Sequence, residues 1–188
     1  SPYKTIEELV AAAKEKGNLK ASTNGNKASN HTAAQLLAKS AGFKYKAIPY
    51  GGTADQLLAL RQGEVDFTCA KVADVAKLVK GDKPELRVLA VFNTKRDPEL
   101  PNVPTLGEKG LYPEWYGSAR ALVAPKGTKP EVIQYYVEAF KKTMQDPAVI
   151  EAHKKAGMAL DFKDNKELGD LIKAQDKFAR DVVNDLYK

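Results

Sequence analysis

The residues of this chain best suited to chemistry are uncharged hydrogen-bond donors gathered in two turns. The first reads Ser22-Thr23-Asn24-Gly25-Asn26-Lys27-Ala28-Ser29-Asn30-His31 and opens into a run of helical periodicity from Thr32 to Lys39. The second is Gly51-Gly52-Thr53-Ala54-Asp55. Each follows a strand-like segment and ends where a helix begins. The first N–H groups of a helix have no partner within it, and the positive end of the helix dipole lies beside them. A carboxylate or a phosphate is therefore favoured at such a place. Ser29 or Asn30 is placed to cap the first of these helices. One such turn would be an ordinary helix cap; two at equivalent positions make a site.

Other chemistries find little support. Cys69 is the single cysteine, so no internal disulfide is possible, and its strand-end neighbours point to an inert buried thiol. His31 and His153 are the only histidines and lack metal-ligand spacing. Ser22 or Ser29 beside His31 would need an orienting acid to act as a nucleophile, and none is in sight. No phosphate loop is present. The expectation is a binding protein, not an enzyme, with no metal and no cofactor.

The elements that must hold the two turns are legible from periodicity and punctuation. Thr5 to Lys16 reads as a helix with Thr5 and Glu8 as a capping box, Ile6, Leu9, Val10 and Ala13 on one face, and Gly17 as its stop. Strands are expected at 19–23, 45–50, 64–69, 86–91 and 118–124, with Pro49 near the end of the second. Helices are expected at 30–40, 53–62 (Leu57, Leu58 and Leu60 turned inward), 72–79, 105–109, 130–144, 146–156 and 166–186. Thr94 to Thr105 is broken by Pro98, Pro101 and Pro104 and reads as a loop, and 112–116 is an aromatic loop. After Ala124 only Ala159–Phe162 could be a further strand. Alternating strands and helices predict an α/β fold with a largely parallel sheet, and in such sheets ligands sit beyond the carboxyl ends of the strands, where both turns lie.

Composition sets the frame. The 188 residues are 43% hydrophobic and 29% charged, those of a globular chain. The net charge of +6 is scattered over lysines, with no arginine and aromatic stripe of the kind that grips nucleic acid. A mildly basic protein attracting small anions fits better. No apolar run reaches the roughly 18 residues of a membrane helix. The chain opens Ser1-Pro2-Tyr3 without a Met, which suggests processing or truncation.

Several segments together resemble one family. They are Ser22–His31, Pro49-Tyr50-Gly51-Gly52-Thr53-Ala54, Gly63-Glu64-Val65-Asp66, Leu86–Val91, Lys95-Arg96 with Leu100-Pro101-Asn102-Val103-Pro104-Thr105, and Ala124-Pro125-Lys126-Gly127-Thr128. In order and spacing they are similar to the substrate-binding receptors of tripartite tricarboxylate transporters, the TctC or Bug family. The resemblance implies a two-lobed type II periplasmic binding protein fold. It implies that residues 1–120 form the complete second lobe. Residues 121–188 would be the hinge strand and the C-terminal helices of a first lobe whose N-terminal part is absent, making this a truncated or cleaved chain. Such helices, lacking a sheet of their own, would be loosely docked or engaged with another copy.

Carried over residue by residue, the family's binding turns fall on Ser22, Thr23, Asn24, Gly25, Ser29, Asn30 and His31, on Gly52, Thr53 and Ala54, and on a strand-end loop at Cys69, Ala70 and Lys71. Lys27 stands where relatives often have a second Gly. Arg120 is kept where some relatives read Gly-Ser-Trp-Arg-Gly, while Ala119 replaces the Trp. Arg120 has two open readings, a bidentate contact with a carboxylate or an inter-lobe salt bridge. The function implied is an extracytoplasmic or periplasmic receptor that takes a di- or tricarboxylate between its lobes and hands it to membrane permease subunits. The same bilobed fold serves as the effector domain of LysR-type regulators, and a receptor reporting to a sensor kinase would have the same sequence features.

Overall fold

Thr5 opens the first helix as its sequence predicts, its Oγ1 accepting from the Glu8 N–H at 3.2 Å. The computed structural model describes residues 1–158 and 160–187. The chain divides into two compact units, Ser1–Gly117 and Ser118–Lys188. In the first unit the order is α1 (Ile6–Lys16), β1 (Lys20–Thr23), α2 (Ser29–Ala41), β2 (Lys46–Pro49), α3 (Thr53–Gln62), β3 (Phe67–Thr68) and α4 (Val72–Val75). Gly17, Gly42 and Gly63 close α1, α2 and α3 with positive φ of 66°, 71° and 77°, the left-handed cap that glycine adopts without strain. The reciprocal half of the expected capping box is displaced by one residue. Glu8 accepts from the Lys4 N–H at 2.6 Å instead of from that of Thr5.

The sheet is parallel, in the order β2-β1-β3. Lys20 to Thr23 pair with Lys46 to Pro49, and Ala21 and Ser22 with Phe67 and Thr68. The chain leaves β1 to one side, reaches β2, then crosses back to β3 on the other side. This reversal at β1 is the switch point at which a crevice opens beyond the strand ends. Below it lies the core, in which Ile6, Leu9 and Ala13 of α1 meet Leu37 and Ala41 of α2 and Phe67 of β3. Phe43, Tyr45 and Phe67 stack edge to face at 5.6–6.4 Å, each such pair adding about 0.5–1.5 kcal/mol to the burial.

Several expected elements are shorter or absent. The third strand shrinks to Phe67–Thr68 and the helix at 72–79 ends at Val75. No strand forms at 86–91. Arg87 instead donates to the Tyr3 carbonyl at 2.8 Å, and only Val91 bridges, to Thr105. An extended apolar run becomes a strand only where a neighbour offers a ladder, and here one residue does. The helix at 105–109 is replaced by successive turns, although its cap is fully made: Thr105 Oγ1 accepts from Glu108 N–H and the Glu108 carboxylate from Thr105 N–H. Arg96 lies against both oxygens of that carboxylate at 3.0 and 3.1 Å and donates to the Pro101 carbonyl at 3.3 Å. That guanidinium, with the Thr105 N–H, holds the Glu108 carboxyl below the usual carboxylate range. The proline loop is thus tied at both ends, and Leu106, 1% exposed, is driven into the core.

The second unit carries α5 (Pro130–Gln145), α6 (Pro147–Lys155) and α7 (Asn165–Phe178). A π-helical turn (Ala179–Val183) and the short α8 (Asn184–Leu186) follow, so the expected single helix over 166–186 is broken. Asp164 and Glu167 form a complete capping box on α7, and Asp146 caps α6. The strand expected at 118–124 does not form, and the segment is exposed without regular structure, Val123 being 81% accessible. Of Ala159–Phe162, residues 160–162 form no strand and Ala159 lies outside the described residues. No residue of α5, α6 or α7 is buried, and Tyr135, Tyr136 and Phe140 are exposed along α5.

Candidate functional site

Parallel pairing puts the ends of β1 and β2 on one edge of the sheet, so the turns at 24–28 and 50–52 lie side by side. Gly25 makes the first turn possible, its φ of +123° being open to glycine alone. Its carbonyl accepts from Ala28 N–H and from Thr23 Oγ1, each at 3.4 Å. Lys27 follows at φ 57°, the one left-handed non-glycine among the described residues. Its N–H donates to His31 Nδ1 at 3.0 Å.

The cap of α2 differs from expectation. Ala28 is its N-cap and brings no side-chain bond, while Ser29 and Asn30 are already helical. The Asn24 Oδ1 reaches forward instead and accepts from the Asn30 N–H at 3.2 Å. Nothing acidic stands in the first turn of α2, whereas α3, whose N-cap is Gly52, has Asp55 in its first turn. A carboxylate thus already stands beside the α3 dipole, and none stands beside that of α2.

Behind the turns lies a buried polar network that periodicity did not reveal. Gln56 is fully buried, where Leu58 was expected to turn inward and is instead 45% exposed. Its Oε1 accepts from Asn30 Nδ2 at 2.9 Å. Its Nε2 donates to Thr68 Oγ1 and, at 2.7 Å, to the Cys69 carbonyl. Thr68 Oγ1 donates to the Ser22 carbonyl at 2.9 Å, and Ser22 Oγ donates to the Gln56 carbonyl at 2.9 Å. Ser22 and Thr23 are themselves fully buried, so they carry the turn's backbone while their hydroxyl protons are spent inside the protein. Tyr116, from the aromatic loop, donates to the Ser29 carbonyl at 3.3 Å and stacks on Phe92. The clustering of aromatics at 112–116 was a visible signal for it; Gln56 had none.

The predicted residues therefore divide. Asn24, Gly25, Ser29, Asn30 and His31 come together at the α2 terminus, Gly52, Thr53 and Ala54 at that of α3, and Ala70 follows Cys69 at the end of β3. Arg120 belongs to the second unit, where it stands exposed. Burial pushes the Cys69 thiol up to about 12, so it stays protonated at neutral pH. Among the described residues no group of three metal-ligating side chains exists, and no helix is long and apolar enough to cross a membrane.

His31 gives the site a pH response. Burial holds its pKa below 6.5, and the bond from Lys27 N–H requires an unprotonated Nδ1. The unfolded chain therefore binds a proton more readily than the folded one. Stability from this group is complete above about pH 6.5 and is lost as pH falls through the depressed folded value. Urea unfolding at pH 7.5, 6.5 and 5.5 should show stability dropping over the lower interval, and His31→Gln should flatten that drop.

The description tripartite tricarboxylate transporter family receptor is that of the family model matching residues 1–186. A UPF0065 protein in the gbd 5′ region of Cupriavidus necator is 37% identical over 148 residues, covering 78% of this chain and 44% of its own. A TctC solute binding protein from Polaromonas, solved without ligand, superposes with a TM-score of 0.86 at 27% identity, over 98% of this chain and 63% of that one. Two Rhodopseudomonas palustris structures share the fold. One, with adipate, has a TM-score of 0.77 at 22% identity over 95% and 61% of the two chains. The other, MatC with bound malate, has 0.61 at 20% over 83% and 53%. The chain spans about half the length of the curated relatives it matches, at 44%, 52% and 54%.

Proposed function

Because the chain belongs to the tripartite tricarboxylate transporter receptor family and shares the α/β fold of its periplasmic binding proteins, we propose that it is part of an extracytoplasmic receptor that captures a small di- or tricarboxylate. It binds and does not catalyse. The observation that carries this reading is the pair of helix N-termini brought to one edge of the sheet, α2 and α3, each without a cap from its own N-cap side chain. A carboxylate takes backbone N–H bonds from the turns at 24–31 and 52–54. Fixed neutral donors hold an anion without burying a counter-charge, whose desolvation would offset much of the gain. The adipate and malate held by two proteins of this fold are both dicarboxylates, which supports the ligand class.

A second lobe closes on the captured anion, and the closed form is the one a membrane permease recognises. The apolar face of α5 at Tyr135, Tyr136 and Phe140 is exposed in this chain. In the chain on its own that face favours association with a second copy.

Thermal unfolding with succinate, malate, adipate and citrate tests the reading. A ligand that binds only the folded state stabilises it by about 2.7 kcal/mol at one hundred times its Kd. At least one of these acids should raise Tm at millimolar concentration while a neutral sugar does not. If every carboxylate leaves Tm where it was, the ligand class is wrong.

A further inference from the structure

We propose that Gln56 is the positioning residue that locks the three binding turns into one rigid frame, and thereby sets which carboxylates fit. Every polar group of this side chain is used, and each goes to a different part of the site. The carbonyl oxygen accepts from Asn30 in the first turn of α2 at 2.9 Å. The amide nitrogen donates to Thr68 at the end of β3 and to the Cys69 carbonyl just beyond it. The backbone carbonyl of the same residue accepts from Ser22 at the end of β1. Gln56 itself makes the first helical bond of α3, its N–H donating to the Gly52 carbonyl at 3.1 Å. One residue thus joins the 22–31 turn, the 52–54 turn and the 69–71 loop.

Only an amide does this. It offers two donors and an acceptor on one planar group and carries no charge. A glutamate would face the Cys69 carbonyl with an acceptor and bring a charge into a fully buried place. Methionine fills nearly the same volume and satisfies neither the Asn30 amide nor the Cys69 carbonyl. Residues that hold donors in place act on affinity through geometry, since a displacement of the donors by a fraction of an ångström loosens every bond to the ligand.

The consequence for ligand choice rests on the receptor reading above, whereas the joint itself does not, and two measurements on the same protein separate them. The first is free of ligand. In ¹H–¹⁵N spectra, Gln56→Met should shift the amide signals of all three turns, at 24–31, 52–55 and 68–71. Shifts confined to α3 and to the directly bonded Ser22, Asn30, Thr68 and Cys69 overturn the proposal. The second is calorimetric titration of succinate, adipate and citrate, well below Tm. Gln56→Met should bind the preferred acid at least tenfold more weakly and level the preference among the three. A side chain that merely filled space would lower Tm and leave both affinity and preference unchanged in the folded molecules, and that result also overturns the proposal. Should Gln56→Met fail to fold, Thr68→Val removes the bond from Gln56 Nε2 together with the one to the Ser22 carbonyl while leaving that to Cys69, and should show the same pattern with a two- to fivefold loss. Wild-type protein that binds none of the acids refutes the receptor reading, and the spectra then decide the joint by themselves.

Discussion

Replacing Gly25 by valine is expected to abolish carboxylate capture while leaving most of the fold standing. At φ +123° a side chain, and a β-branched one above all, has no relaxed conformation. Space is not the obstacle, since a Cβ there would meet only Ala28 Cβ at 3.8 Å. The turn must therefore rotate its backbone to escape strain of roughly 1–3 kcal/mol. Rotation moves the Gly25 carbonyl from Ala28 and Thr23, and with it the Asn24 side chain from the Asn30 N–H. Donors at the α2 terminus then no longer converge. We expect a loss of affinity above 100-fold, about 2.7 kcal/mol, measured by calorimetric titration with the acid that stabilises the wild type. Gly63→Val is the control. It also forces a side chain into a left-handed position, φ 77° at the C-terminus of α3, so it should lower Tm and leave affinity intact. A Gly25→Val protein binding within threefold of wild type would show that this turn is not the anion's seat.

The largest loss of stability is expected at Leu106. It is 1% exposed and belongs to the same cluster as Ile6, Leu9 and Phe67. Its N–H donates to the Val91 carbonyl at 2.9 Å and its carbonyl accepts from Leu111 at 3.0 Å, so the backbone cannot slide to refill a hole. Leu106→Ala should cost roughly 2–5 kcal/mol, the range for a buried leucine whose surroundings relax only in part. Tm should fall by roughly 4–20 °C. Leu58→Ala, at a site 45% exposed, should stay within about 0.5 kcal/mol of wild type. Comparable losses at the two positions in urea titrations would mean that Leu106 is not enclosed as described.

The α3 helix marks both where sequence was a good guide and where it failed. The limits of α3 could be read to the residue because Gly52 and Gly63 bracket it, and caps are local chemistry. The parallel sheet followed from alternation. Burial within α3 did not follow. Leucines at 57, 58 and 60 just after a glutamine read as an apolar face, yet the protein turns Gln56 in and Leu58 out. The reason lies in partners 12, 26 and 34 residues away, Thr68, Asn30 and Ser22, which no local pattern reports. The missing strand at 86–91 has the same origin, since β-propensity names residues able to pair and not whether a partner stands alongside. In the candidate site, the pattern of strand, polar turn and helix start located both turns, but the capping role fell to Asn24 instead of Ser29 or Asn30, because Gly25 folds the turn back over the helix start.

The ring of bonds through Ser22, Gln56 and Thr68 has a bearing on the order of assembly. Its members are 34 and 46 residues apart for the two bonds made by Ser22, while the Thr5 cap of α1 spans three. Closing long loops costs entropy before the contact returns anything. We therefore expect the helices to form early and the ring to close last. Contacts absent from the transition state are felt in unfolding and not in folding. On the receptor reading proposed above, a carboxylate bound at these turns is expected to slow unfolding without speeding folding.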